Sequence, residues 1–376
     1  MNQGKDHNPL GPVRSVNPQE IARGPIHFTF TTTKMNRSLW QHEAGVPGII
    51  RDSPIPSQIA DEEIVVKVHA WAMNPADAMV QDIALPFIKY PLILGEDITG
   101  TVESVGSVAA TKFQPGDRIL GLALGAAVAK PEQGAFQDYV ILDYNMACKI
   151  PDTLSFTDAS VFPLCIATAA QGLFSKEYLG LPFPSTTTAP NSTGKSILIW
   201  GGSSGVGSNA IQLCKAAGFE VVTTCSARNA GYVKDLGADK VFDYTDKDAI
   251  DQVATELDKG ECIGILQAAG EPSPSCQVAH KSKQTLRVAA TNPVPEGAAL
   301  EGVEAKMIFA SGGAVIYHET NPATFAGYLP EALANGTYKV APAPETVPTK
   351  GLEGIQEALD VLKKGVSAKK LVTLAN

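Results

Sequence analysis

The residues best placed to do chemistry lie in one short run. Gly201-Gly202-Ser203-Ser204-Gly205-Val206-Gly207 follows directly on the apolar stretch Ser196 to Trp200. Behind it, Val206, Ala210, Leu213, Cys214 and Ala217 fall at the spacing of one helix face. A glycine-rich turn between a strand and a helix lets backbone N–H groups and the positive helix end approach a diphosphate, because no side chain blocks the way. Gly202, Ser203, Ser204, Gly205, Val206 and Gly207 are therefore candidates for the diphosphate cradle of a dinucleotide cofactor. Their strand-then-helix setting separates the run from an ordinary turn.

The type of dinucleotide is read one strand later. Val221 to Cys225 runs into Ser226-Ala227-Arg228-Asn229, with no carboxylate to hold a ribose 2'-hydroxyl. Ser226 can donate a hydrogen bond and Arg228 can offer a planar fork to a 2'-phosphate, which favours NADP over NAD. The plainer alternative leaves Arg228 as a solvated residue at a helix start. Tyr244, just past the third apolar run Lys240 to Phe242, either covers the same phosphate or closes a loop.

Other reactive side chains are scattered. Six cysteines contain no C-x-x-C pair, and six histidines form no ligand or triad spacing, so both sets are expected to be buried or surface residues. Thirty Lys and Arg against 39 Asp and Glu give a net charge of -9, which argues against nucleic acid or an anionic membrane as partner. No apolar stretch approaches a bilayer span and the N-terminal residues lack an apolar leader core, so a reducing, cytoplasmic setting is expected. The sequons at Asn36, Asn191 and Asn335 are then chance matches.

The elements that must position the turn divide the chain in two. At 376 residues it is long enough for two domains, at about 150 residues each. The first 25 residues are polar, a surface arm. Short β-branched runs at Glu63 to Trp71, Thr99 to Val105, Arg118 to Leu122 and Gln137 to Leu142, with Pro115-Gly116-Asp117 as a turn, predict a compact antiparallel barrel. Helical spacing begins after Pro151, with Ser155 and Asp158 as a capping box. Leu181 to Gly194 reads as an exposed loop. From Ser196 to Ala290 strand and helix alternate, the pattern of a doubly wound parallel sheet. A helix over Gly354 to Gly365 and a strand over Lys370 to Leu374 close the chain, the strand returning to the first domain.

Five motifs in order carry a family resemblance: Asn74-Pro75-Ala76-Asp77, Gly95-Glu96-Asp97-Ile98-Thr99-Gly100, Pro115-Gly116-Asp117-Arg118, Gly134-Ala135-Phe136-Gln137-Asp138-Tyr139-Val140 and the dinucleotide turn. With the ending Lys364 to Val372, they resemble the medium-chain dehydrogenase/reductases, over nearly the whole chain after the N-terminal arm. Within that superfamily the chain is similar to the zinc-independent quinone oxidoreductase and enoyl reductase branch. The long loop after Leu179-Gly180-Leu181-Pro182 is similar to fungal members, including trans-acting enoyl reductases that serve polyketide synthases.

The resemblance implies an α/β fold: a GroES-like β-barrel catalytic domain plus a Rossmann doubly wound parallel-sheet domain. The implied boundaries are an arm over 1–25, the GroES-like domain over 26–160, the NADP-binding domain over 161–318 and a return over 319–376. Zinc-dependent relatives take metal ligands from three places, which here hold Asn74 or its neighbours, Glu96, and Leu164 by spacing, with Cys165 one step away. That set, and the lack of a four-cysteine lobe, imply no metal. Without a Lewis acid, hydride transfer suits an activated C=C or a quinone better than an isolated carbonyl, because conjugate addition spreads charge into an enolate.

By the same resemblance Asn74, Asp77 and Thr168 are the catalytic candidates, and Ala76, Ala78 and Met79 border the nicotinamide. Ala269, Thr291 and Asn292 sit on later strand ends facing the cofactor, with Asn229 beside the phosphate and Val366 and Ser367 reaching in from the tail. Asp77 and Asp97 can equally serve turns, and Thr168 can equally pack within its helix. No proton donor stands out, which leaves the proton to solvent. The implied function is NADPH-dependent reduction of an α,β-unsaturated carbonyl, free or tethered to a carrier of a polyketide synthase. Quinone reduction and non-catalytic NADPH binding are the alternatives, and relatives suggest a homodimer. Arg228→Ala is expected to weaken NADPH binding far more than NADH binding in fluorescence titrations; equal losses would remove the phosphate role of Arg228.

Overall fold

The computed structural model describes residues 35–186, 190–309 and 316–376. The arm expected over 1–25 lies outside the described residues. Among these residues no helix is long and apolar enough to cross a membrane.

The run EIVVKVHAWA, rich in β-branched and aromatic residues, forms strand Glu63–Ala72 at the centre of a seven-stranded sheet. One edge of it pairs with Asp97–Val105 over most of its length. The other edge is shared: residues 63–67 pair with Tyr139–Asp143, and residues 70–72 pair with the C-terminal strand Lys369–Leu374. Splitting one edge between two partners bends the strand. Trp71 is fully buried at the bend, its indole N–H donating to the Ala135 carbonyl at 2.8 Å. A small sheet of Met35–Gln41, Ile49–Pro54 and Leu92–Ile93, not foreseen from sequence, adds to this half. Asn36 is buried within it and bonded to Gln137, so its sequon is closed to modification.

The second half is a six-stranded parallel sheet. Its spatial order is Lys240–Asp243, Glu220–Cys225, Ser196–Trp200, Cys262–Gln267, Val288–Ala290 and Ala305–Met307. In chain order this is third, second, first, fourth, fifth, sixth, which reverses between Ser196–Trp200 and Cys262–Gln267, the place where such sheets bind dinucleotides. The alternation read as far as Ala290 therefore gains one more strand.

Between the sheets lies helix Pro163–Phe174. The helical stretch expected from Ser155 is split. Ser155 Oγ accepts the Asp158 N–H at 3.0 Å and caps a short helix Phe156–Ala159, after which Pro163, with no N–H to donate, starts a new one. Ile166, Ala170 and Leu173 of the second helix share an apolar cluster with Ala210, Ile211, Leu213 and Cys214 of helix Gly205–Ala216. The connection into it is pinned by Arg118, whose guanidinium donates to the carbonyls of Pro151 and Leu154, both at 2.7 Å.

Helix Glu353–Lys363 lies close to the span read from sequence, and the strand after it pairs antiparallel with Glu63–Ala72, Val372 opposite Ala72. Close strand pairing leaves no room at Gly100, where an added Cβ would stand 2.1 Å from the Lys67 carbonyl oxygen. Gly100→Ala is expected to destabilise the fold by about 1–3 kcal/mol, as for other overpacked sites. Thermal denaturation showing an unchanged midpoint would count against this pairing.

Candidate active site

The glycine-rich turn is built as its sequence predicts. Ser204 Oγ accepts the Gly207 N–H at 3.0 Å and caps the twelve-residue helix Gly205–Ala216. The N–H groups of Gly205 and Val206 have no intrahelical acceptor, so they and the helix dipole are available to an anion. The glycines are required by close contacts. A Cβ at Gly207 would lie 2.3 Å from the Gly201 carbonyl oxygen, one at Gly202 would lie 2.1 Å from Thr223 Oγ1, and one at Gly205 would lie 2.5 Å from Cys165 Sγ.

Predicted residues from distant parts of the chain meet around this turn. Asn229 Nδ2 donates to Ser203 Oγ at 3.2 Å and to Ser367 Oγ at 3.1 Å, tying the turn to the second strand end and the C-terminal tail. Ser204 Oγ donates to the Ala268 carbonyl at 3.2 Å, and Ala269 abuts Gly201. Thr291 is held by Gln267 and Asn292 donates to the Gly270 carbonyl at 2.8 Å. Ser226 is partly exposed and Arg228 exposed, the latter with no ion-pair partner among the described residues. Tyr244 is half exposed, its N–H directed at the Cys225 carbonyl. Val366 and Met79 are exposed, Ala76 is partly covered, and Ala78 is buried in the apolar core.

The least expected feature is an ammonium group inside the protein. Lys370, 5% exposed, begins the buried part of the strand Lys369–Leu374, ahead of Leu371 and Val372. Its Nζ donates to Asn74 Oδ1 at 2.7 Å, to Cys165 Sγ at 3.2 Å and to Asp97 Oδ2. The other Asp97 oxygen accepts the Leu164 N–H at 2.6 Å, at the start of helix Pro163–Phe174. One carboxylate thus answers both a lysine and a helix N-terminus. Burial alone would push Lys370 down; Asp97 and Cys165 outweigh it and hold the ammonium above its usual range.

Asn74 and Asp77 are wired into the same knot. Asn74 precedes helix Pro75–Asp82, and its N–H donates to Asp77 Oδ2 at 2.7 Å. Burial, with the Asp97 charge behind it, raises the Asp77 carboxyl to about 7 against the opposing Asn74 N–H. Because an ammonium only donates, Lys370 fixes the Asn74 amide with its oxygen inward. The Nδ2 group is left buried with no acceptor among the described residues. Thr168 stands one turn beyond Cys165, 9% exposed, its hydroxyl unbonded among the described residues.

Three corrections to the sequence reading follow. Cys165, not Leu164, projects its side chain into the knot; Leu164 gives only its N–H. Asp97 is an ion-pair partner and not a turn residue. Lys370, read only as part of the ending, is the centre of the cluster, and its one signal was a charge directly preceding the apolar pair Leu371-Val372. The donors present do not fit a metal: Asn74 Oδ1, Cys165 Sγ and an Asp97 oxygen are all spent on the ammonium. Among the described residues no three His, Cys, Asp or Glu side chains are arranged to hold one.

Residues 60–152 match the family model of the alcohol dehydrogenase GroES-like domain, and residues 205–289 match that of zinc-binding dehydrogenase. "Dehydrogenase azaJ" of Aspergillus niger is 43% identical over 359 residues, covering 93% of this chain and 99% of the relative. "Trans-enoyl reductase himH" of Aspergillus japonicus is 38% identical over 345 residues, covering 90% and 97%. The solved structure of CurK enoyl reductase superposes with a TM-score of 0.70 at 18% identity, covering 91% of this chain and all of that one. The chain belongs to the medium-chain dehydrogenase/reductase family, whose members are oxidoreductases that bind a nicotinamide cofactor.

The buried pair makes a measurable coupling. Lys370→Met leaves Asp97 without its cation and is expected to destabilise the protein by about 3–5 kcal/mol. Adding Asp97→Asn should recover much of that loss, and strictly additive losses in urea unfolding would show that the two groups do not act as a pair.

Proposed function

We propose that the chain is an NADPH-dependent reductase of C=C bonds conjugated to a carbonyl, working without zinc. One observation carries this reading: the dinucleotide turn is intact, while the donors a metal would need are consumed by Lys370. Gly202 to Gly207 hold the diphosphate. Ser226, Arg228 and Tyr244 take the 2'-phosphate; in sequence no carboxylate follows Cys225, and the neighbouring Asp243 carboxylate is occupied by the Ala227 N–H at 3.2 Å and by Thr245. Ser203, Asn229 and Ser367 close over the cofactor, while Ala269, Thr291 and Asn292 flank its nicotinamide half and Ala76, Met79 and Val366 border it; Ala78, expected from the sequence to border it too, packs into the apolar core instead. When bound, NADPH supplies a hydride.

The residues of this chain do the rest by position and polarity. Asn74 Nδ2 donates to the substrate oxygen, with Thr168 as a second donor, so charge arriving on that oxygen meets preorganised hydrogen bonds. Lys370 supports this at one remove by holding the amide the right way round. Asp77 holds the backbone that carries Asn74. Orientation of two partners in a fixed site supplies several kcal/mol of the barrier.

We further propose the division into 26–160, 161–318 and 319–376, a cytoplasmic setting and a homodimer. Similarity to the trans-enoyl reductase himH favours an enoyl substrate over a free quinone, and we propose that this substrate is tethered to a polyketide synthase carrier. NADPH absorbance followed with enones, enoyl thioesters and quinones tests the reading. Oxidation is expected with enoyl thioesters and enones, and faster with NADPH than NADH. Bound NADPH left unoxidised by every substrate would favour a cofactor-binding protein without turnover, and oxidation by quinones alone would favour a quinone reductase.

A further inference from the structure

We propose that Glu96 is the general acid of this site, giving its proton to the enolate carbon formed when the conjugated C=C is reduced. The proposal rests on the reductase reading above and adds the residue it lacks.

Glu96 stands immediately before Asp97, in a segment whose backbone is fixed. Gly95 adopts φ +90°, and a Cβ there would meet the Phe136 ring at 2.3 Å. The Glu96 carbonyl accepts the Ala123 N–H at 2.7 Å. The residue is not sealed: as a whole it is partly exposed, while its Oε2 is buried and makes no hydrogen bond among the described residues. A buried carboxyl oxygen without a partner is costly when charged and much less so as a neutral acid. Lys370, whose charge acts on Glu96, holds Asn74, which is 2% exposed with its Nδ2 equally unpartnered among the described residues. The knot thus presents two unused polar groups, an amide donor and a carboxyl, and Cys165 of the same knot touches Gly205 of the dinucleotide turn. An amide donor for the carbonyl oxygen and an acid for the adjacent carbon are the two groups that conjugate reduction requires.

The charged neighbours of Glu96 are Asp77, Asp97 and Lys370. Burial raises its carboxyl well above the usual range, Asp77 and Asp97 push in the same direction, and Lys370 opposes them. This setting favours the acid form. Electrons and protons balance as follows. A hydride from the reduced nicotinamide, which is oxidised, forms the new C–H bond at the β-carbon, and the C=C pair moves to the enolate. The Glu96 O–H breaks as the α-carbon takes its proton. The carboxylate left behind is stabilised by the charge of Lys370 and is reprotonated by water.

The test compares Glu96→Gln and Glu96→Asp with the wild type. In the cofactor-free protein, difference infrared spectra at neutral pH should show protonated carboxyl bands for Glu96 and Asp77, of which Glu96→Gln removes one. NADPH affinity should be unchanged in both variants, which also reports that they fold. Turnover of the enoyl substrate should fall about 10²-fold or more in Glu96→Gln and recover in part in Glu96→Asp. The wild-type rate should decline as Glu96 ionises on the alkaline side, and Glu96→Gln should lack that limb. A Glu96→Gln protein with wild-type turnover and pH profile, or with both carboxyl bands intact, would overturn the role of Glu96 and leave the reductase reading standing. A wild type that binds NADPH and reduces no conjugated substrate would overturn both.

Discussion

An ammonium ion buried between two sheets constrains everything around it. Taking a lysine out of water costs several kcal/mol unless its donors are answered, and three different segments answer this one. Asp97 comes from the barrel sheet, Asn74 from the turn before a helix, and Cys165 from the helix that packs on the dinucleotide half. None of the three is near Lys370 in sequence, so the ion is satisfied only when the tail strand has paired beside Glu63–Ala72.

That requirement links architecture to chemistry. The tail that delivers Lys370 also delivers Ser367, which meets Asn229 and through it Ser203 of the cofactor turn. Cys165 meets the same turn from below, at Gly205. The dinucleotide site and the polar knot are therefore two ends of one network. A fixed cation within the chain also sets the electrostatics of its neighbours. It sits where three potential ligand positions converge, it orients Asn74, and it faces the two carboxyls, Asp77 and Glu96, that burial makes reluctant to ionise.

Local patterns carried most of the fold. Glycine spacing between a strand and a helix marks the cofactor turn because the physics there is local: backbone approach, a cap and a dipole within seven residues. The alternation of strand and helix marks the parallel sheet for the same reason. What escaped was set by long-range contact. The small sheet around Met35–Gln41 has weak patterning and depends on partners far along the chain. The split at Pro163 was visible as a proline yet masked by continuous helical spacing. Lys370 is the second of two adjacent lysines in the last strand, and what sets it apart from Lys369 is its contact with Asp97, 273 residues away. Glu96 was noted only as a non-ligand, since the absence of a partner for one oxygen cannot be read from a sequence.

The proposed zinc-free chemistry depends on Lys370 occupying the acceptors that a metal would use. Metal content of the purified protein, determined by inductively coupled plasma mass spectrometry on a preparation that oxidises NADPH, tests it most directly. Far less than one zinc per chain, unchanged by chelation that leaves activity intact, is the predicted result. One zinc per chain, lost together with activity on chelation, would contradict it.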